Sequence, residues 1–318
     1  MKEVDLFIHD FKNNEVMRRL MLQLGLIIVV LIIVDRFVGN TLDSLIPRHK
    51  CGYYKKINTY LNSVNNYDIV IFGNSRGMHQ YVPKVFEHSL NTKTINAGID
   101  GAGLPYYKAL IDFYLKRHKP KLIIIDINNR ELEESIVGDK YNAIRFLSPF
   151  FTNEPELKQS LNLSFKDNII QSSGLVRYNT RFYGIIKNCI SCKDDISEGY
   201  KPFFGTAKRD LRNYRDPVGP IDNERIDDLE SIIASCKEKG VKLLFIFSPK
   251  RNIDDRKFYS RKLLTKILEK HKLQYWDFTI SDKFKAKQIF YDSAHLNHQG
   301  AVRFSDFISR KIIESQIL

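Results

Sequence analysis

The sequence predicts a three-layer, doubly wound α/β domain on a five-stranded parallel sheet, preceded by one membrane-spanning helix. Two observations predict the domain. Short apolar runs rich in β-branched residues recur at 68–74, 121–127 and 241–248, as in strands buried on both faces. Helix-patterned segments follow them, and strands alternating with helices imply a parallel sheet covered on both sides through right-handed crossovers. The third observation is an unbroken apolar segment over 20–34.

Taken in order, residues 1–16 form an N-terminal tail and 17–38 a transmembrane signal anchor. The apolar run lies between Arg18-Arg19 and Asp35-Arg36. It is slightly short for a span of about 17–25 residues. Met17, Phe37 and Val38 extend it if the flanking arginines snorkel. No small-x-small cleavage site follows, so the anchor is expected to stay uncleaved. Lys2, Lys12, Arg18 and Arg19 before it nearly balance Arg36, Arg48 and Lys50 after it, so charge bias sets no orientation. Residues 39–66 read as a polar linker with a helix near 53–64.

The domain proper is expected over 67–318. A strand at 68–74 leads to a second at 91–99. A helix follows at 101–117, with Leu104, Tyr107, Leu110, Ile111, Tyr114 and Leu115 on one face, then the strand at 121–127. Over about 133–220 the alternation stops, and this polar, aromatic, turn-rich stretch reads as an insertion. Within it, residues 199–215 interleave basic and aromatic side chains, which suits stacking on sugar rings or holding an anionic polymer. The rhythm resumes with a helix at 222–239, the strand at 241–248, a helix at 255–271, a short strand at 274–279 and a last helix at 299–314.

The 318 residues carry a formal net charge of +13 and a pI near 9.4, a surface that attracts nucleic acid, anionic glycan or lipid head groups. Zinc-finger spacing, RNA-binding aromatic signatures, a P-loop and G-x-G-x-x-G are all missing, so no nucleic-acid partner is expected. The four cysteines, Cys51, Cys189, Cys192 and Cys236, allow three pairings. Cys189-x-x-Cys192 lies in a polar stretch without a second ligand pair, which favours a local disulfide or free thiols over a metal site.

The chemistry sits at the two ends of the domain. Gly73-Asn74-Ser75 closes the first strand and delivers Ser75 to the carboxyl edge of the sheet, where open α/β sheets bind their ligands. Asp292 and His295, three apart in a loop before the last helix, can pair so that the carboxylate fixes the imidazole tautomer and leaves the other nitrogen facing outward. Serine is a weak nucleophile, so a base at the same edge is a chemical requirement. His79 and His88 have no partner in sequence and read as surface residues; His298 lies near enough to line the mouth of the site.

These motifs resemble those of SGNH (GDSL-like) hydrolases, and more closely the membrane-anchored members linked to O-acetylation of cell-surface polysaccharides. The resemblance covers about 68–132 and 240–315 and implies a flavodoxin-like sheet order. It implies that Ser75 is the nucleophile and that Asp292 and His295 complete its triad, with Leu296-Asn297 and Gly300 following in the family manner. It also implies that the amides of Ser75 and Gly98, the latter in Asn96-Ala97-Gly98, form the oxyanion hole. The family's Gly-x-Asn-Asp block is missing. Asp126-Ile127-Asn128-Asn129-Arg130 stands there, and Asn128, ahead of Asn129, is expected to supply the side-chain donor, a contribution of roughly 10²–10³ in turnover.

The implied activity is acyl transfer through an acyl-Ser75 intermediate, as O-acetyltransferase or acetylesterase, with no metal or dissociable cofactor. The implied partners are the membrane, a carbohydrate acceptor and a membrane O-acyltransferase, and the implied location of the domain is periplasmic or extracellular. The competing expectation is a non-catalytic module of the same fold that binds an anionic surface polysaccharide.

Overall fold

The computed structural model describes residues 15–62, 66–134, 138–191, 196–206, 219–251 and 258–318. Five short apolar stretches form one parallel sheet: β1 (Ile69–Phe72), β2 (Thr94–Asn96), β3 (Leu122–Asp126), β4 (Lys242–Phe247) and β5 (Gln274–Asp277), in the order β2-β1-β3-β4-β5. The register aligns Val70 with Ile95 on one side and with Ile123 on the other. Alternate residues of each strand face opposite layers. Val70 and Phe72 join one core cluster, whereas Ile69 and Ile71 join the other.

Helices cover both faces, as expected. On the Phe72 side lie α5 (Leu104–Leu115), α11 (Asn223–Lys239) and α12 (Tyr259–Lys270), burying Leu110, Ile232 and Leu264. On the Ile71 side lie α4 (Pro83–Leu90) and α13 (His298–Glu314), burying Phe86, Phe304 and Ile308. Local chemistry sets the helix ends: the Asp222 side chain caps α11 at its start, and Gly240, at φ 62°, ends it in the left-handed conformation. The sheet reverses direction of growth between β1 and β3, the position at which such sheets open a crevice. The residues that leave β1 there form α3 (Ser75–Gln80).

N-terminal to the domain, α1 (Glu15–Leu45) is one continuous helix and α2 is Gly52–Leu61. The apolar window of α1 is unburied, and the helix is long and apolar enough to cross a membrane.

The stretch read as turn-rich is instead largely helical. It contains α6 (Asp139–Leu147), α7 (Pro155–Ser160), α8 (Phe165–Ser172), α9 (Gly174–Tyr178) and α10 (Phe182–Ile190). These helices have five to nine residues, too few turns to show a period of 3.6 against an aromatic background. The cysteine reading also changes. Cys51 is disulfide-bonded while Cys189 and Cys236 are free thiols, so the C-x-x-C pair is not a local disulfide; Cys192 lies outside the described residues.

Behind α3, Arg76 is buried with Asp126 at the end of β3, with 3.4 Å between Nη2 and Oδ1. Arg76 also donates to the Ile127 carbonyl at 3.0 Å, and the Tyr81 hydroxyl donates to Asp126 Oδ2 at 2.7 Å. Burial raises the Asp126 carboxyl pKa above its ordinary value, and the Arg76 charge is the largest opposing influence. Removing one member of a buried pair strands the other charge. Arg76→Ala is therefore expected to lower unfolding free energy by about 3–5 kcal/mol, read by chemical denaturation.

Candidate active site

Ser75 is the first residue of α3, and Asn74 caps the helix by accepting from the Arg76 amide at 3.0 Å. More than two hundred residues later, the loop before α13 is shaped around one carboxylate. Asp292 Oδ1 accepts from the Ala294 and His295 amides, each at 2.8 Å. Phe290 and Leu296, paired across the loop and fully buried, anchor it in the core. The Gln80 side chain donates to the Ala294 carbonyl at 3.1 Å and ties the loop to α3.

The three residues expected as a triad meet. His295 Nε2 lies 2.7 Å from Ser75 Oγ, and His295 Nδ1 lies 2.9 and 2.8 Å from the two Asp292 oxygens. A carboxylate only accepts, so Nδ1 carries the proton and Nε2 presents its lone pair to the serine hydroxyl. Burial works to raise the Asp292 pKa, but the His295 ring, its charge and the two loop amides together hold the carboxyl below its ordinary value. The triad carboxylate is thus ionised at neutral pH.

Two of the three donors expected in the oxyanion hole are engaged within the protein. The Gly98 amide donates at 3.0 Å to the side-chain oxygen of buried Asn96. Glycine is needed at 98 for close packing: a Cβ there would lie 2.8 Å from the Met78 amide nitrogen and 2.9 Å from the Gly73 carbonyl. The Asn128 side chain is engaged as well. Its side-chain amide donates to Glu131 Oε2, and its oxygen accepts from the Arg130 amide at 2.8 Å. Asn129 is buried with its oxygen 2.5 Å from Arg261 Nη1. The Ser75 amide alone of the three has no protein partner among the described residues.

Glu131 explains the capture of Asn128. Burial, reinforced by the Asp139 charge and opposed by Arg225, pushes its carboxyl pKa up to about 8. Across the window from the ordinary value of about 4.5 to about 8, the folded chain holds a proton that the unfolded chain has released. Stability accordingly falls as pH rises through that window and levels off above it. Glu131→Gln is expected to flatten this part of the profile of melting temperature against pH.

A second histidine belongs to the site, and the surface reading of His79 is overturned. It lies one helical turn after Ser75 and is 1% exposed. Its Nε2 lies 2.9 Å from Asp100 Oδ1 and its Nδ1 2.6 Å from the Lys201 carbonyl. Both partners only accept, so both bonds form together only when both ring nitrogens carry protons. Tyr53 donates to the other Asp100 oxygen at 2.5 Å. The i,i+4 spacing of Ser75 and His79 is the sequence signal for this group.

The described part of the basic-aromatic stretch, residues 199–206, lies together with 196–198 as a strap beside the triad; residues 207–215 fall outside the described residues. The Glu198 carbonyl accepts from Asn96 N at 3.0 Å, the Phe203 carbonyl from His298 N at 2.7 Å, and the Gly205 carbonyl from the Asn297 side chain at 2.8 Å. Lys56 donates to the carbonyls of Gly98 and Gly199, and burial lowers its pKa to about 7 against the opposing charge of Asp100. The Phe203 ring stacks between His79 and Tyr291, at centroid distances of 3.8 and 4.4 Å, and meets the His295 ring edge-on at 5.5 Å. His298 is exposed at the strap, its Nδ1 3.0 Å from the Tyr200 hydroxyl. Among the described residues no cluster of three or more His, Cys, Asp or Glu side chains could hold a metal ion.

No protein-family model matches the sequence, and no curated protein matches it. Among solved structures, a candidate lipolytic protein of the G-D-S-L family from Desulfitobacterium hafniense is similar at 9% identity and TM-score 0.40, covering 76% of this chain and 97% of that one. A candidate acylhydrolase from Bacteroides fragilis is similar at 12% identity and TM-score 0.41, over 81% and 94%. A protein from Streptococcus pneumonia, described as a candidate platelet activating factor, is similar at 12% identity and TM-score 0.41, over 92% and 99%. Likeness at this level carries no weight for activity. The parallel sheet order, the serine after β1 and the Asp-x-x-His loop before the last helix are the arrangement that the SGNH resemblance implies.

Proposed function

We propose that this chain is a serine-dependent acyl-ester enzyme of SGNH type. The observation that carries the proposal is the hydrogen-bonded series Ser75 Oγ, His295 Nε2, His295 Nδ1 and Asp292. In the proposed reaction His295 takes the Ser75 proton as Oγ attacks the ester carbonyl carbon. The resulting oxyanion faces the Ser75 amide. Its collapse expels the alcohol, which takes the proton from His295, and leaves acyl-Ser75. His295 then deprotonates a second hydroxyl, which attacks the acyl group and restores the serine.

The second hydroxyl is water in an esterase and a sugar hydroxyl in an O-acetyltransferase. The long apolar helix supports a single-pass anchor over 17–38, and the proposed surface acceptor is what puts the domain over 67–318 on the periplasmic or extracellular side. The strap favours a carbohydrate acceptor, because Phe204 is 69% exposed beside His298 and next in sequence to Phe203, whose ring meets His295, and an exposed ring suits stacking on a sugar face. A membrane O-acyltransferase is the proposed donor partner.

One observation favours the competing reading, a binding module that keeps the fold without turnover: the Gly98 amide and the Asn128 side chain are already engaged. A single fluorophosphonate experiment separates the two. The enzyme reading expects labelling of the wild type and none of Ser75→Ala. It also expects Asp292→Asn to lower kcat on a chromogenic acetyl ester by roughly 10⁴, through loss of the productive tautomer. An unlabelled wild type decides for the binding module.

A further inference from the structure

The apolar part of α1 defines where a bilayer lies if that helix is an anchor. A hydrocarbon core of about 30 Å takes about 20 helical residues at 1.5 Å each. The apolar run over 20–34 is bracketed by Arg18-Arg19 and Asp35-Arg36, and it approaches that length when the flanking arginines snorkel. Asp35 therefore marks the border nearer the domain.

The corner between α8 and α9 is fastened to α1 at this level. Asp35 accepts from the Ser173 hydroxyl at 2.7 Å and from the amides of Gly174 and Leu175 at 3.1 and 2.9 Å. Arg36 donates to the Ser172 carbonyl. Gly39 meets Gly174 backbone to backbone, where a Cβ on Gly39 would lie 2.9 Å from the Gly174 Cα. One turn beyond Gly39, Asp43 accepts from both Arg177 terminal nitrogens, at 3.1 and 2.9 Å, and from the Tyr178 hydroxyl. α9 thus runs along α1 away from the border, with its first residues at the border itself.

Beside exposed Arg36 and Ser172, the corner presents several large apolar side chains. Ile169, Leu175 and Val176 on the corner are 54%, 50% and 52% exposed, and Phe37 on the adjoining turn of α1 is 71% exposed. Such a patch has no reason to face water. At the edge of a bilayer it has the composition of an interfacial element.

We infer that the α8–α9 corner is a second, shallow membrane contact, inserted at the boundary between head groups and acyl chains of a phospholipid bilayer. The inference rests on the reading of α1 as an anchor. A single helix leaves a domain free to swivel and tilt. A second contact fastened to the same helix holds the domain, and with it Ser75, at a set attitude to the membrane surface.

The test uses the full chain in phosphatidylcholine–phosphatidylglycerol nanodiscs with lipids brominated at chosen acyl depths. The chain has one tryptophan, buried Trp276 in β5, whose emission in the parent protein is the background. Single substitutions Leu175→Trp and Ile169→Trp report on the corner. Leu24→Trp reports on the anchor, and Tyr259→Trp, exposed on α12, reports on solvent. The added emission of Leu175→Trp and Ile169→Trp is expected to be lost most with shallow bromines, that of Leu24→Trp with deep bromines, and that of Tyr259→Trp with neither. Quenching of Leu24→Trp while both corner reporters behave like Tyr259→Trp overturns the second contact and leaves the anchor standing. An unquenched Leu24→Trp overturns the anchor and the second contact together.

Discussion

The hydrogen bond between His295 Nε2 and Ser75 Oγ is the interaction on which the site depends. It joins the loop after the first strand to the loop before the last helix, so it forms only if the intervening chain returns to the same edge of the sheet. Three features bring it there. The strand order places β1 inside the sheet, between β2 and β3, buried Phe290 and Leu296 root the histidine loop, and Asp292 holds both the loop backbone and the imidazole. The carboxylate that shapes the loop is also the group that sets the histidine tautomer. Folding and the proposed proton transfer therefore draw on the same contacts.

Around this triad the structure places a second polar layer that a minimal serine–histidine–aspartate arrangement does not need. His79, Asp100, Tyr53 and Lys56 connect α2, α3, the turn after β2 and the strap. The strap is short, yet it is bonded to Met78, Asn96, Asn297 and His298. Its carbonyls give His79 Nδ1 its acceptor and Lys56 a second one beside the Gly98 carbonyl. Phe203 is consequently fixed against the rings of both histidines, and one wall of the reaction site comes from a segment outside the repeating α/β pattern.

Much of this was legible in sequence, and the parts that were not have physical reasons. The strands over 69–72, 122–126 and 242–247 stood out because parallel strands buried on both faces are uniformly apolar. Ser75, Asp292 and His295 stood out because their residue types and spacing satisfy one chemical requirement. The oxyanion donors are harder to read, because a donor's availability depends on its neighbours: Asn96 sits two residues before Gly98 and takes its amide, and Glu131 sits three after Asn128 and takes its side chain. His79 looked solitary because its partners, Asp100 and Lys201, come from other elements. The helices over 139–190 were hidden by their shortness.

The central claim is that Ser75 carries the acyl group. The most direct measurement is the mass of the intact chain after brief incubation with an acetyl ester and an acid quench, followed by peptide mapping. The account predicts one acetyl group on the peptide containing Ser75, absent from His295→Ala. An acetyl group on another residue, or none under conditions where the wild type turns over the ester, would contradict it.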